Sequence, residues 1–338
     1  MSETVEILVT IPLPDKLIEE IRRVSEFIQV TVQPAREVGE VPEEIWAKAE
    51  ILYTMHVLPK PEQAPALQWV QSYLAGVEKI LEDELFKGEV ALTTMSGANA
   101  TQVAEHVLTM ILALGHSLPE FSRLQRETKW MEDKGHQYIP REVRGSTVGV
   151  IGYGSIGRQV ARLVTGMGAQ VLAVKRDAMS PVHYGYSAEG LGDPDGDFFT
   201  RLYPPQAIQS MVKDCDFVVV TVPRTDETIG LVGKEQLMAM KPSAFLIDVS
   251  RGGVVDHAAL IEAITETRIA GAALDVFPEE PLLESSPLWS LPNVIITPHV
   301  AGFSPAYNQR ANDLFIENLT RYLSGQVLLN LVKQEREY

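Results

Sequence analysis

One stretch, residues 147–157, constrains the fold more than any other part of this chain. Residues 148–151 form a short apolar run with the length and β-branched content of a strand buried in a parallel sheet. Gly152, Gly154 and Gly157 follow at once in the spacing G-x-G-x-x-G. A helical pattern then opens with Val160, Ala161, Leu163 and Val164. Strand, tight turn and helix, in that order, aim the helix's first amides at a pyrophosphate. Gly152 makes the turn, Gly154 lets the backbone approach phosphate, and Gly157 lets helix and strand pack closely. Tyr153, Ser155 and Ile156 lie between the glycines and belong to the same candidate dinucleotide loop. A second strand, 170–174, follows where such a unit requires one.

The rest of the chain repeats this alternation. Strands are expected at 5–10, 28–32, 51–54 and 90–93, with helices at 15–24 and 43–49, so the first hundred residues read as a small α/β unit. Residues 99–118 show apolar positions at Val103, Val107, Met110, Ile111 and Leu114, a long helix with its own buried face. The charged stretch 123–144, with Pro140 in it, reads as a connector. Beyond 174, strands are expected at 217–222, 244–249, 269–275 and 294–297, and helices at 234–240, 256–264 and 312–323. A chain of 338 residues has room for about two domains of this kind.

Net charge and cysteine usage narrow the functions open to such a fold. The balance of 45 acidic against 29 basic residues gives −16, which disfavours nucleic acid and anionic membrane surfaces as partners. The single cysteine, Cys215, allows neither an internal disulfide framework nor a cysteine-cluster metal site, and reads as small buried filler before an apolar strand. No metal is expected. Residues 1–6 are polar and acidic, unlike a signal peptide, and no apolar run approaches a membrane span. The expected location is the cytoplasm.

Ligands of an open parallel sheet bind outside the carboxyl ends of its strands. Those ends hold Lys175-Arg176, Val222-Pro223, Val249-Ser250-Arg251, Asp275 and Pro298-His299. Histidine suits proton exchange with a substrate hydroxyl near neutral pH. Glu280, in the loop leaving the strand that ends at Asp275, offers a carboxylate that would orient such a ring and favour its charged form. Arg251 stands before Gly252-Gly253, where a guanidinium with a free backbone beside it can grip a carboxylate through two parallel bonds. His106 reads as a structural group within its helix, and the acidic turn 193–197 as solvated rather than as a calcium loop, since Pro204 stands where the closing glutamate would be.

With these residues in place, the chain resembles the D-isomer-specific 2-hydroxyacid dehydrogenases, the family that includes glyoxylate/hydroxypyruvate reductases and phosphoglycerate dehydrogenase. Residues 148–157 resemble its cofactor fingerprint and 273–281 its glutamate motif. Residues 293–302 resemble its histidine motif. Residues 248–256 resemble its arginine motif, with Asp248 and Ser250 in place of the more usual asparagine and small residue. The resemblance implies an α/β fold of two Rossmann-like or flavodoxin-like domains with parallel sheets and a cleft between them. The substrate domain would be 1–100 plus 303–338, and the dinucleotide domain 101–302. It further implies a homodimer, with the helix after Asn99 as the dimer-forming element.

By the same resemblance, His299 is the acid/base, Glu280 its partner, and Arg251 the group that binds the substrate carboxylate and polarises the adjacent carbonyl. Ala75 and Gly76 hold that carboxylate through their amides, with Arg251 and His299 completing the substrate contacts. Val249, Ser250, Arg251, Asp275 and His299 lie near the nicotinamide, and Val222 and Pro223 near the adenosine end. The implied reaction moves a hydride between NAD(P)H and C2 of a small 2-oxo or 2-hydroxy acid. A cofactor-sensing binding protein is the alternative, because related corepressors keep the fold, although nothing basic or low-complexity marks a nucleic-acid partner. Formate oxidation is disfavoured, since that branch has an amide where Glu280 stands.

Cofactor choice can be read from one position. NAD-binding units place an acidic residue at the end of the second strand, about 20 residues past the glycines, to bond the ribose 2′-hydroxyl. Here Lys175 and Arg176 hold that place and Asp177 comes late. Two cations there attract a 2′-phosphate, so NADP(H) is expected to be favoured, with NAD(H) usable. Residues 183–205 make the connection to the next strand longer than the family's usual one, and loops of this length are seldom idle.

Overall fold

The computed structural model describes residues 4–78, 80–132 and 139–333. The chain divides into two compact units. One comprises the residues up to Asn99, Tyr184–Tyr186 and the segment from Ser304; the other comprises Ala100–His183 and Ser187–Phe303.

The first unit is built on a five-stranded, wholly parallel sheet: β1 (Val5–Val9), β2 (Ile28–Val32), β3 (Ile51–Thr54), β4 (Trp69–Ser72) and β5 (Ala91–Thr93), in the order β2-β1-β3-β4-β5. Alternate side chains of these strands feed two cores. Ile7, Val9, Ile51, Tyr53 and Trp69 pack on one face, against Ile18 and Ile21 of helix α1 (Asp15–Arg22). Leu8, Leu52, Val70 and Leu92 pack on the other, with Trp46 of the short helix α2 (Glu43–Trp46) and with Leu85 and Phe86.

The second unit opens with α3 (Ala100–Gly115) and α4 (Leu118–Arg126) and then enters β6 (Thr147–Ile151), α5 (Ser155–Gly166) and β7 (Gln170–Val174). It continues through β8 (Arg201–Tyr203), α6 (Ile208–Val212), β9 (Phe217–Val220), α7 (Lys234–Ala239), β10 (Phe245–Asp248), α8 (His257–Thr265), β11 (Gly271–Leu274) and β12 (Val294–Ile296). Its seven strands are parallel in the order β12-β11-β10-β9-β6-β7-β8. The sheet is buried on both faces, which is why its strands read as unbroken apolar runs. Val148, Val150, Phe217, Val219 and Ile247 face Val103, Val107 and Ile111 of α3 and Val160 and Val164 of α5. Ile151, Val218, Val220, Leu246 and Leu274 face the opposite core with Met211 and Leu260.

After Phe303 the chain returns to the first unit as α9 (Tyr307–Leu323), whose Leu314, Phe315 and Leu319 close the core around Tyr53 and Trp69. This helix begins earlier than the apolar spacing suggests, because its first turn is held by polar contacts. Tyr307 donates to the Tyr73 carbonyl at 2.6 Å, and Tyr73 donates to Asn308. Other elements differ from expectation, among them β4 and α6, which no apolar run marks. Within the stretch read as a connector, α4 reaches Arg126; it is held by Arg123 pairing with Glu120 and Glu127 rather than by an apolar stripe. In the long connection after Val174, Arg201–Tyr203 adds an edge strand to the sheet.

Candidate active site

The parallel sheet of the second unit sets the site. Strands β12, β11, β10, β9, β6 and β7 are neighbours, so the residues that follow each of them emerge along one edge. The G-x-G-x-x-G turn follows β6. Gly152 has φ +104°, and a Cβ there would lie 2.8 Å from the Val222 side chain. A Cβ on Gly157 would lie 2.2 Å from the Gly152 carbonyl oxygen, so the helix can approach the strand this closely only with glycine. Gly154 differs from both, because a Cβ there would meet nothing within 4 Å. Gly154 also caps α5 without a side chain. Open space against a backbone that precedes a twelve-residue helix is a cradle that fits an anionic diphosphate.

The loop after the glycines is braced by the long connection. Tyr153 is buried and donates its hydroxyl to Asp193 at 2.6 Å. Arg158, only 1% exposed, lies over the Tyr153 ring at 4.6 Å and donates to the carbonyls of Asp193 and Pro181. Asp193 also accepts from the amides of Gly196, Asp197 and Phe198. At 2% exposure it is a buried organiser of its turn, whose Pro194, Asp195 and Asp197 are exposed. Burial and the Asp193 carboxylate push the Tyr153 hydroxyl well above its ordinary value, so it remains a donor.

The two cations after β7 are placed differently. Lys175 turns back and donates its ammonium to the carbonyls of Ser180 and Val182, the latter at 3.0 Å. Burial, then the charge of Arg158, hold it below the ordinary lysine value. Arg176 is exposed and pairs with Glu227 at 2.9 Å. Beyond β9, Val222 is half-buried and Pro223 exposed.

After β10, Asp248 is fully buried and accepts from the amide and the hydroxyl of Ser250. Burial pushes its carboxyl up to about 7, against the two bonds from Ser250 and with a contribution from the nearby Asp275 charge. Val249 and Ser250 are buried, and half-buried Arg251 donates to the Ser250 carbonyl at 2.9 Å. A Cβ on Gly252 would lie 1.8 Å from the Phe277 carbonyl oxygen. Glycine therefore lets the arginine loop press against the loop that leaves β11, bringing Arg251 within electrostatic reach of Glu280.

Glu280 and His299 meet directly, with His299 Nδ1 2.8 Å from Glu280 Oε2. The other Glu280 oxygen accepts from the Phe277 amide at 3.0 Å. Partial burial raises the Glu280 carboxyl, but the bonds from His299 and Phe277, with the charges of His299 and Arg251, outweigh it and hold it below 4.5. His299 is exposed and has φ +54°, a left-handed conformation that is uncommon for histidine. Asp275 is buried beneath it and accepts from the amides of Val300 and Ala301 at 3.0 and 2.9 Å. Thr297 donates to Asp275 at 2.6 Å and lies 3.2 Å from His106 Nε2. Sequence spacing gave no sign of this last pair, whose members are 191 residues apart. Arg251, Glu280, Asp275 and His299 thus lie along one sheet edge, while Ala75 and Gly76 lie in the first unit, half-buried in the loop after β4. Tyr53, a neighbour of that loop in the core, is fully buried and stacks on Phe315 at 4.4 Å. Among the described residues, no group of three or more His, Cys, Asp or Glu side chains is placed to hold a metal ion.

Known proteins resemble this chain along most of its length. The profile of the D-isomer specific 2-hydroxyacid dehydrogenase NAD-binding domain matches residues 108–301. The chain is 32% identical over 279 residues to a glyoxylate reductase of Pyrococcus furiosus, covering 81% of this chain and 78% of that protein. Among solved structures, a D-isomer specific 2-hydroxyacid dehydrogenase from Xanthobacter autotrophicus, crystallised with NADPH and MES, superposes with a TM-score of 0.79 at 28% identity, covering 99% of this chain and 100% of that one. An NADPH-dependent glyoxylate/hydroxypyruvate reductase from Sinorhizobium meliloti, crystallised with NADP and malonate, superposes with a TM-score of 0.69 at 27% identity, covering 98% of each. The chain belongs to the D-isomer specific 2-hydroxyacid dehydrogenase family, nicotinamide-dependent oxidoreductases that move a hydride between the cofactor and C2 of a small 2-oxo or 2-hydroxy acid.

Proposed function

We propose that the protein reduces a small 2-oxo acid of the glyoxylate or hydroxypyruvate class with NADPH, and that His299 is its acid/base. The observation behind this is the 2.8 Å bond between His299 Nδ1 and Glu280, beside Arg251 on the sheet edge. A carboxylate only accepts, so Nδ1 carries a proton and Nε2 is the ring atom left to serve the substrate. His299 Nε2 gives its proton to the substrate oxygen during reduction and takes it back during oxidation. Arg251 grips the substrate carboxylate and polarises the neighbouring carbonyl, and the amides of Ala75 and Gly76 hold the same carboxylate. Bound nicotinamide supplies the hydride. The loop Gly152–Tyr153–Gly154–Ser155–Ile156–Gly157 holds the diphosphate, Arg176 with Lys175 behind it receives the 2′-phosphate, and Val222 and Pro223 line the adenosine end. Val249, Ser250, Arg251, Asp275 and His299 border the nicotinamide. The names of the Pyrococcus and Sinorhizobium relatives support the substrate class and the preference for NADPH.

The protein is further proposed to act as a cytoplasmic homodimer. Leu118 and Phe121 of α4, with Trp130 and Ile139, are exposed, and apolar groups on a surface so rich in charge suit a subunit contact. Among the described residues no helix is long and apolar enough to cross a membrane. Light scattering should give twice the 37.4 kDa chain mass.

The deciding experiment is turnover of a panel of 2-oxo acids with both cofactors, in wild type and His299→Gln. Wild type should consume NADPH with glyoxylate or hydroxypyruvate. His299→Gln should lose on the order of 100-fold in turnover while still binding cofactor. Silence of the wild-type protein across the panel would favour a cofactor-sensing binding protein, and normal turnover of the variant would remove His299 from its role.

A further inference from the structure

His299 is held from below by Asp275, Thr297, His106 and Gln102. Its backbone is in the left-handed region, and the loop from Thr297 to Gly302 that fixes it has three anchors. Asp275 accepts the amides of Val300 and Ala301 and the hydroxyl of Thr297. The Thr297 hydroxyl has one proton and gives it to Asp275, so it can only accept from His106, whose Nε2 must therefore be the protonated nitrogen. Burial lowers the His106 pKa, against the charge of Asp275, and so favours the neutral ring. On the far side of the loop, Gln102 Nε2 donates to the Gly302 carbonyl at 2.9 Å. Gln102 and His106 are one turn apart on α3, so a single helix holds both ends of the histidine loop.

We infer that His106, Gln102 and Thr297 are positioning residues for the proton donor: α3 clamps the 297–302 loop so that His299 keeps its left-handed backbone and its ring stays on Glu280. This rests on the reading of His299 as the acid/base. A proton donor must sit within hydrogen-bond reach of its acceptor, about 2.6–3.2 Å, and loss of such placement far from the chemistry lowers turnover without weakening ground-state binding.

The test compares Thr297→Val, Thr297→Ser, His106→Leu, His106→Gln and the Thr297→Val/His106→Leu pair, with His299→Gln as reference. Thermal melting and the NADPH dissociation constant serve as checks on folding. Thr297→Val removes both hydroxyl bonds at nearly constant volume, and should lower kcat by about tenfold to a hundredfold with KM and NADPH binding within about twofold. Thr297→Ser, which restores the hydroxyl, should recover most of the loss, and His106→Gln should outperform His106→Leu because its amide still donates. The pair should cost little more than the worse single change, since both act on one bond chain. A folded Thr297→Val enzyme with wild-type kcat, while His299→Gln is inactive, would overturn the clamp and leave the acid/base reading standing. Additive losses in the pair, or a fall in NADPH binding that matches the fall in kcat, would also overturn it. An active His299→Gln enzyme would instead remove the reading on which the clamp rests.

Discussion

Glu280 and Asp248 show how two carboxyls can be tuned in opposite directions along a single sheet edge. Glu280, held below 4.5, keeps its charge as the pH falls, so its pairing with His299 is complete above that value and lost only as pH drops through the lower folded one. Across the neutral range the carboxylate is a constant, and Glu280→Gln removes it. Glu280→Gln should lower turnover because the ring loses the carboxylate acceptor that orients its Nδ1–H; unchanged turnover in a folded variant would take Glu280 out of its partner role. Asp248 behaves in the reverse sense. Its carboxyl rises from 3.8 to about 7 on folding, so the folded state binds the extra proton between those values and loses stability as pH climbs through them. The full penalty is present above about pH 7 and has an upper bound of about 4 kcal/mol. Asp248→Asn keeps an acceptor for Ser250 and deletes the charge. Its melting temperature relative to wild type should therefore be more favourable at pH 8 than at pH 5, and an equal difference at both would refute the buried charge as the cause. The sequence shows an aspartate in the arginine motif; only its complete burial shows what that aspartate costs.

At the scale of elements, what a linear reading could see was whatever repeats locally. The strands at 28–32 and 51–54 and the glycine turn follow directly from apolar runs and spacing, as do the strand-end arginine, glutamate and histidine. Helix α4 escaped because salt bridges, not an apolar face, hold it. The clamp on His299 escaped because a helix and a strand end far apart in sequence meet only after folding. The long connection after β7 escaped for a third reason: its organising side chains, Asp193, Arg158 and Tyr153, are polar groups whose burial no hydrophobic pattern signals. This connection also separates the two cations that the sequence places side by side. Lys175 is bound to the carbonyls of Ser180 and Val182, leaving Arg176 as the group that can turn toward a 2′-phosphate. Arg176→Ala should lower the NADPH-to-NADH ratio of kcat/KM by about tenfold, the scale of one charged hydrogen bond, and Glu227→Gln should raise it by freeing the guanidinium from a competing carboxylate. Lys175→Met should cost stability and leave the ratio in place. Equal effects of Lys175→Met and Arg176→Ala on the ratio would contradict this division of labour.

At the scale of the whole molecule, the chain passes between its units after Asn99, on both sides of Tyr184–Tyr186, and after Phe303. Each unit nevertheless has its own interior. Two hydrophobic clusters draw only on residues of the first unit and two only on residues of the second. The first unit's interior is finished by the last helix: Phe315 stacks on Tyr53 and lies 5.5 Å from the Trp69 ring, with Leu314 and Leu319 fully buried beside it. Emptying that position should cost the first unit alone. Phe315→Ala is expected to lower its stability by about 3–5 kcal/mol, the usual cost of a large aromatic cavity. That is a large share of the roughly 5–15 kcal/mol that holds a domain folded. The two interiors can be followed separately in denaturant. Fluorescence of Trp46 and Trp69, both buried in the first unit, reports one, and NADPH binding, assigned to the glycine turn of the second, reports the other. In Phe315→Ala the fluorescence midpoint should fall well below that of wild type while the binding midpoint holds, because Phe315 belongs to a core of the first unit and to neither core of the second. If both midpoints fell together by the same amount, the two interiors would be a single cooperative structure, and the separation drawn from their cores would be wrong.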